Sequence, residues 1–301
     1  MSKSRVIIIR HPRVSDKSGR VDSNILSSML SAGILKLTQE EDISDSLNHF
    51  FTLTDHIGMK TNCLSGKNSS THPELAYAIS SMLNKSGIKN KNIFIWDRSN
   101  RELKEAGFKI NTNGDGPLCF GTDSYGVGYA EKLYTYKNIG SLFSRIFIDF
   151  TDVQINLPVL KDHTLAGITC GMKNLFGIIH NPNKYHSNSC DPYVADLCSM
   201  PLVKDKIKLI ICDCLWVQYN AGPSFHPQWW EKYDGLLIGT YQVAVDFVGY
   251  TILDQIRAKR GLPPLKKIGE EPKYIFTAAD SEHNLGNADL KNIDLVELKL
   301  D

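Results

Sequence analysis

The chain has 301 residues, 42% of them apolar and 22% charged, which is enough to bury one large α/β core or two close-packed ones. Its 34 basic and 33 acidic residues leave a formal charge of +1; with no long Lys/Arg run, nucleic acid and anionic membrane surfaces are excluded as partners. The seven cysteines include no C-x-x-C pair, so the spacing encodes neither an iron–sulfur cluster nor a zinc ribbon, and free buried thiols in a reducing compartment are expected.

"MSKSRVIIIRHP" runs straight into a β-branched strand (5–10) with no apolar leader, which predicts a soluble cytoplasmic chain, or a folded exported one if a leader has been removed. Residues 21–37 carry helical periodicity, with Asp22 or Ser23 as the cap. A strand at 55–62 is followed by a helix over 71–87, with Pro73 in its first turn and Gly87 past its end. A second strand (92–99) enters a helix capped by Ser99 or Asn100. This alternation predicts an α/β fold: a mainly parallel sheet with helices on both faces, in one domain spanning 1–301. The Gly/Asn/Asp/Tyr-rich stretch at about 111–143 is a loop-rich excursion.

Residues 144–163 have strand character, and 164–180 reads as a helix. A short helix at 191–201, strands at 206–216 and 235–239, a helix ending at Gly261 and an alternating strand near the end complete the chain. The longest apolar tract, 235–253, contains Gln242, Asp246 and three glycines, and reads as strand, turn and helix, not as a membrane span.

In open α/β sheets, ligands sit beyond the carboxyl ends of the strands. Polar groups collect at three such ends: Lys60 and Asn62 with Thr71 and His72, then Asp97 and Arg98, then Lys161, Asp162 and His163 in a strand-end loop. Each has a plain alternative, since a strand-end lysine often just meets water and "DRS" is a common cap. Lys173 and Asn174 lie inside "ITCGMKNLFGII", where an unpaired ammonium is costly and needs a carboxylate or an anionic ligand, unless the lysine snorkels to the surface. Lys173 is expected to point toward Lys60 and His163. Asp213 follows a strand, and Asp246 sits in an apolar neighbourhood and needs a buried donor.

Two functional readings follow. In the first the protein is an enzyme acting on a small anionic substrate or cofactor. Lys60, Asn62, Arg98 and Asn174 bind the molecule, and Lys161, His163, Lys173, His72 and Asp97 supply charge and proton transfer. In the second it is a metal- or cofactor-binding accessory protein of a redox system, with His180, His186 and Asp196 as metal ligands at loose spacing and His72 and His163 joining them. A buried structural network is the third option.

The segments "HIGMKTNCLSGKNSSTHPELAYAI", "IFIWDRS", "LPVLKDHTLAGITCGMKNLFGIIH", "YHSNSCDPYVADL", "LIICDCL", "NAGP" and "GTYQVAVDFVG" occur in one order. In that order they resemble the uncharacterised family called domain of unknown function 362, over roughly residues 5 to 298 and most specifically over 160–180. The resemblance carries over Lys60, Asn62, His72, Asp97, Lys161, His163, Lys173, Asn174, His180, Asp196 and Asp246 as motif positions and gives no reaction. Family members fused to ferredoxin-like domains imply an electron-transfer partner, and twin-arginine leaders in others imply export in folded form. This chain has neither feature, and Tyr241-Gln242 stands where the family usually has Asp-Pro.

Overall fold

Residues 3–301 are described by a computed structural model. The first two residues, at the head of the segment read for a leader, lie outside the described residues. The strands are β1 (Ser4–Arg10), β2 (Ile57–Lys60), β3 (Ile93–Trp96), β4 (Leu118–Cys119), β5 (Tyr134–Tyr136), β6 (Ile139–Ser141), β7 (Val153–Asn156), β8 (Val159–His163), β9 (Gly167–Thr169), β10 (Ile207–Gln218), β11 (Trp230–Gly239) and β12 (Ile293–Lys299). The helices are α1 (Ser23–Thr38), α2 (Ile43–Asn48), α3 (Pro73–Lys85), α4 (Asn100–Ala106), α5 (Gly171–Asn174), α6 (Tyr193–Ser199), α7 (Pro201–Lys204), α8 (Gln242–Lys259) and α9 (Lys273–Ala278). Among the described residues no helix is long and apolar enough to cross a membrane.

One large sheet runs in the order β12-β1-β11-β10-β7-β2-β3-β4, with β8 added to β10 and β9 to β8. Its pairings are parallel except β1–β11, β10–β11 and β8–β9. Both faces of the strands are apolar, and the period-two alternation divides them between two layers. Ile7, Ile9, Ile93, Ile95 and Leu209 pack with α1, α3 and α4. Val6, Ile8, Trp96, Ile210 and Cys212 face α5, α6, α8 and α9. The caps follow the sequence: Asp22 accepts from the Asn24 and Ile25 amides, and Ser99 from that of Glu102. All seven cysteines are buried and free.

Four local expectations are corrected. The stretch 144–163 is not one strand. Ile146–Phe150 forms a π-helical turn, its end tied by the Thr151 hydroxyl to the Ile146 carbonyl at 2.7 Å, and β7 and β8 follow. Pro158, which has no amide hydrogen to donate, stands between them. β7 pairs with both β2 and β10, whereas β8 stays on β10 and leaves β2. The sheet therefore splits beyond the ends of β2 and β3.

Nor is 164–180 a single helix. Lys161, Asp162 and His163 lie in β8, not in a loop, and pair with Thr169, Ile168 and Gly167 of β9 across a tight turn. Gly167 has φ of 81°, a conformation open to glycine. One helical turn (α5) and a 3-10 turn (Leu175–Ile178) complete the segment. Asp213 lies inside β10 and not after it.

Candidate functional site

The split in the sheet opens a cavity of about 90 Å3. Lys60 and Asn62 reach it from the end of β2, Asp97 and Arg98 from β3, Lys161 and His163 from β8, and Lys173 and Asn174 from α5; Glu102, Phe176, Gly177 and His186 are further lining residues. Space on this scale holds a handful of waters or a ligand of a few heavy atoms.

One corner is closed by internal bonds. The Lys60 ammonium, 2% exposed, donates to the Thr61 carbonyl (2.6 Å), Asp97 Oδ1 (2.8 Å) and Asn174 Oδ1 (3.4 Å). Asp97 also accepts from the backbone amides of Cys63 (2.8 Å) and Arg98 (2.7 Å). Asn174 donates to Asn156 Oδ1 (2.8 Å) and to the Lys60 carbonyl (3.3 Å). Gly177 permits this closeness, since a Cβ there would lie 2.7 Å from Lys60 Nζ. Lys60, Asp97 and Asn174 thus spend their polar atoms on one another. Asp97, expected to act on substrate, lines the cavity and also ties the ends of β2 and β3 together.

The other corner is open. Lys161, also 2% exposed, donates to Ser65 Oγ (3.0 Å) and the Ser69 carbonyl (2.8 Å). Lys173, 8% exposed, meets His186 Nε2 at 3.2 Å and lies 4.4 Å from the centre of the Phe176 ring. Among the described residues neither ammonium has a carboxylate within ion-pair distance, and each keeps N–H groups without a partner. Desolvation pulls the pKa of Lys161 down to about 7 and that of Lys173 to about 8, so both titrate near neutrality.

The two imidazoles are neutral for related reasons. Burial, then the charges of Lys173, His186 and Lys161, lowers the His163 pKa to about 3. Its Nδ1 accepts from the Leu165 amide at 3.3 Å, which places the proton on Nε2, where no described residue takes it. Burial and Lys173 also lower the His186 pKa. Its Nδ1 donates to the Pro182 carbonyl at 3.1 Å, leaving Nε2 to accept from Lys173. The rings of His163 and His186 stack with centroids 6.0 Å apart. Two further groups stay unpartnered, Asn62 Oδ1 and Arg98 Nε. Burial, then Asp97, raises the pKa of Glu102, against the pull of Arg98.

His72 is elsewhere. Its ring Nδ1 and backbone amide bond Asp213 Oδ2 at 2.7 and 2.9 Å. Asp213 shares its face of β10 with Leu209, Ile211 and Leu215, on the α3 side of the sheet. Burial opposes the imidazolium there, but Asp213 outweighs it by charge and hydrogen bond and raises the His72 pKa.

The residues expected to ligate a metal are also dispersed. Asp196 bonds His283 Nε2 (2.8 Å) and Asn138 (2.9 and 3.1 Å). His180 is exposed against Tyr129, and His186 bonds Lys173. Among the described residues no three His, Cys, Asp or Glu side chains are gathered to hold a metal ion.

Asp246 finds its donor in the Met172 amide, 3.1 and 3.2 Å from its two oxygens; burial still raises its pKa to about 7. Sequence reasoning passed over Glu102, Ser65, Ser69 and Phe176. Glu102 is the third residue after the Ser99 cap and reads as half of a capping box; its place one turn beyond the "DRS" strand end was the available signal.

A family model described as domain of unknown function (DUF362) matches residues 57–251. No curated protein matches the chain. Among solved structures, one similar chain is a Thermotoga maritima protein, a target of the Northeast Structural Genomics Consortium, with 11% identity and a TM-score of 0.43. The similarity covers 73% of this chain and 54% of that one, so this chain spans about half the length of that protein.

Proposed function

The chain belongs to the family described as a domain of unknown function (DUF362), and from that premise we propose that it is an enzyme acting on a small anionic molecule held where the sheet splits. The observation that carries this reading is the pair of buried lysines, Lys161 and Lys173, lining one cavity with no carboxylate within ion-pair distance of either among the described residues. A charge buried in that way is compensated when an anion arrives.

Lys173 and Arg98 pair with the anionic group. Lys161, whose pKa near 7 makes both ammonium and amine accessible at physiological pH, moves the proton. The Nε2–H of His163 donates to a second oxygen and stays neutral throughout. The cavity size restricts the molecule to a few heavy atoms, the scale of a short carboxylate. Lys60, Asp97 and Asn174 hold the strand ends in place and do not contact the ligand. The chain works as a single α/β unit around this site.

The test is thermal unfolding with oxalate and with pyruvate. The wild-type protein is stabilised saturably by at least one of them, and Lys173→Met folds but loses the effect. Full stabilisation retained in both Lys161→Met and Lys173→Met, or none in the wild type, refutes the reading.

A further inference from the structure

β11 runs antiparallel to β10, so its carboxyl end, and with it the amino end of α8, lies at the end of the sheet opposite the first cavity. A second cavity of about 450 Å3 opens there, lined by Lys204, Thr240, Tyr241, Gln242, Asn284 and Asn287 among others. α8 is 18 residues long and no side chain caps it. The amides of Gln242, Val243 and Ala244 precede the first intrahelical bond, which Val245 donates to the Tyr241 carbonyl. They are the free positive pole of a long helix.

A second, independent observation comes from the Gln242 side chain. It is 6% exposed, yet neither atom of its amide has a hydrogen-bond partner among the described residues. Oε1 is enclosed without one, which leaves Nε2 as the amide atom open to the cavity. An amide donor without an acceptor is costly, and a ligand oxygen would satisfy Nε2. Lys204 is exposed at the rim and in no ion pair among the described residues. Tyr241, 42% exposed, is shared with an adjoining groove that carries Lys3 and Arg5.

Backbone amides at a helix amino end, a side-chain amide donor and a lysine form the donor set that phosphate oxygens take. We propose that the amino end of α8 is a second binding site, for a phosphate group, with Tyr241 as the face for any organic moiety attached to it. The site is independent of the first cavity.

The test is calorimetric titration of the full chain with inorganic phosphate and with adenosine monophosphate, on a Lys173→Met background that silences the first cavity. Phosphate binding persists in that background and weakens about tenfold or more when Lys204→Glu or Gln242→Glu is added. Both additions preserve the fold, Lys204 being exposed and a glutamate in the first turn of a helix favourable to its dipole. Equal affinity for the two ligands identifies free phosphate as the occupant. Tighter binding of the nucleotide, lost in Tyr241→Ala, identifies an organic phosphate. Binding that disappears with Lys173→Met alone, or that ignores both Lys204→Glu and Gln242→Glu, overturns the proposal, as does the absence of binding at millimolar ligand.

Discussion

Lys60 and Lys161 lie in neighbouring branches of the split sheet and are equally hidden from solvent, both 2% exposed, yet their surroundings differ in kind. Lys60 meets a carboxylate, a carboxamide oxygen and a backbone carbonyl. Lys161 meets only a hydroxyl and a carbonyl. The closed corner is internally compensated and holds two strands together. The open corner holds lysines with no carboxylate within ion-pair distance among the described residues. Burial by itself therefore does not separate a structural lysine from a functional one, whereas the supply of acceptors around it does.

The largest effect should come from breaking the closed corner. Asp97→Ala leaves the Lys60 ammonium buried without a carboxylate and should cost about 3–5 kcal/mol in urea unfolding; a loss below about 1 kcal/mol would erase the distinction. Next is Gly177→Ala, whose Cβ would crowd Lys60 Nζ; about 1–3 kcal/mol is expected, with anion binding weakened because Lys60 or the 3-10 turn carrying residue 177 must give way.

Intermediate in size is the pH dependence. The folded pKa values of Lys161 and Lys173, about 7 and about 8, lie below the unfolded value of about 10.4. The unfolded chain therefore binds more protons in that interval, and these lysines make stability rise with pH. The rise is read between about pH 7 and 8.5, before unfolded thiols titrate, and Lys161→Met should flatten it. Asp162 and Asp246 have the opposite sign. Their folded values of about 6 and about 7 lie above the unfolded value of about 3.9, so their contribution falls as pH rises from about 4 to 7, a fall that Asp246→Asn should reduce.

The smallest effect on stability is expected from Lys161→Met at neutral pH, within about 1 kcal/mol. Removing an uncompensated ammonium offsets the loss of its bonds to Ser65 and Ser69. A large loss there would mean that Lys161 is structural, as Lys60 is.

Much of the frame is legible in the sequence because its signals are local. β-branched runs, caps at Asp22 and Ser99 and glycines past helix ends place the elements and the sheet with helices on both faces. The strand ends that gather Lys60, Asp97 and Lys161 are legible too, because each apolar run stops at polar residues. The segment 160–180 misleads for a physical reason. Apolar residues that pack on all sides show no period, so a short hairpin and two single turns resemble one helix.

Contacts of long sequence separation are not legible. Asp196 reads as a metal ligand from its neighbours in sequence, whereas His283, 87 positions away, bonds it in the fold. His72 reads as part of the cavity from its place after β2, whereas Asp213, 141 positions away, holds it on the other face. Which lysine is neutralised depends on the jog at Pro158, which decides what β8 leaves behind.

The central claim, that Lys161 and Lys173 await an anion, is tested most directly by the protons taken up on binding. Calorimetric titration of oxalate at pH 8 in two buffers of different ionisation enthalpy measures them. The account predicts net proton uptake by the wild-type protein, because the anion draws both amines toward the charged form, and its loss in Lys161→Met/Lys173→Met. Oxalate binding with no proton uptake, or the same uptake in the double variant, would contradict it.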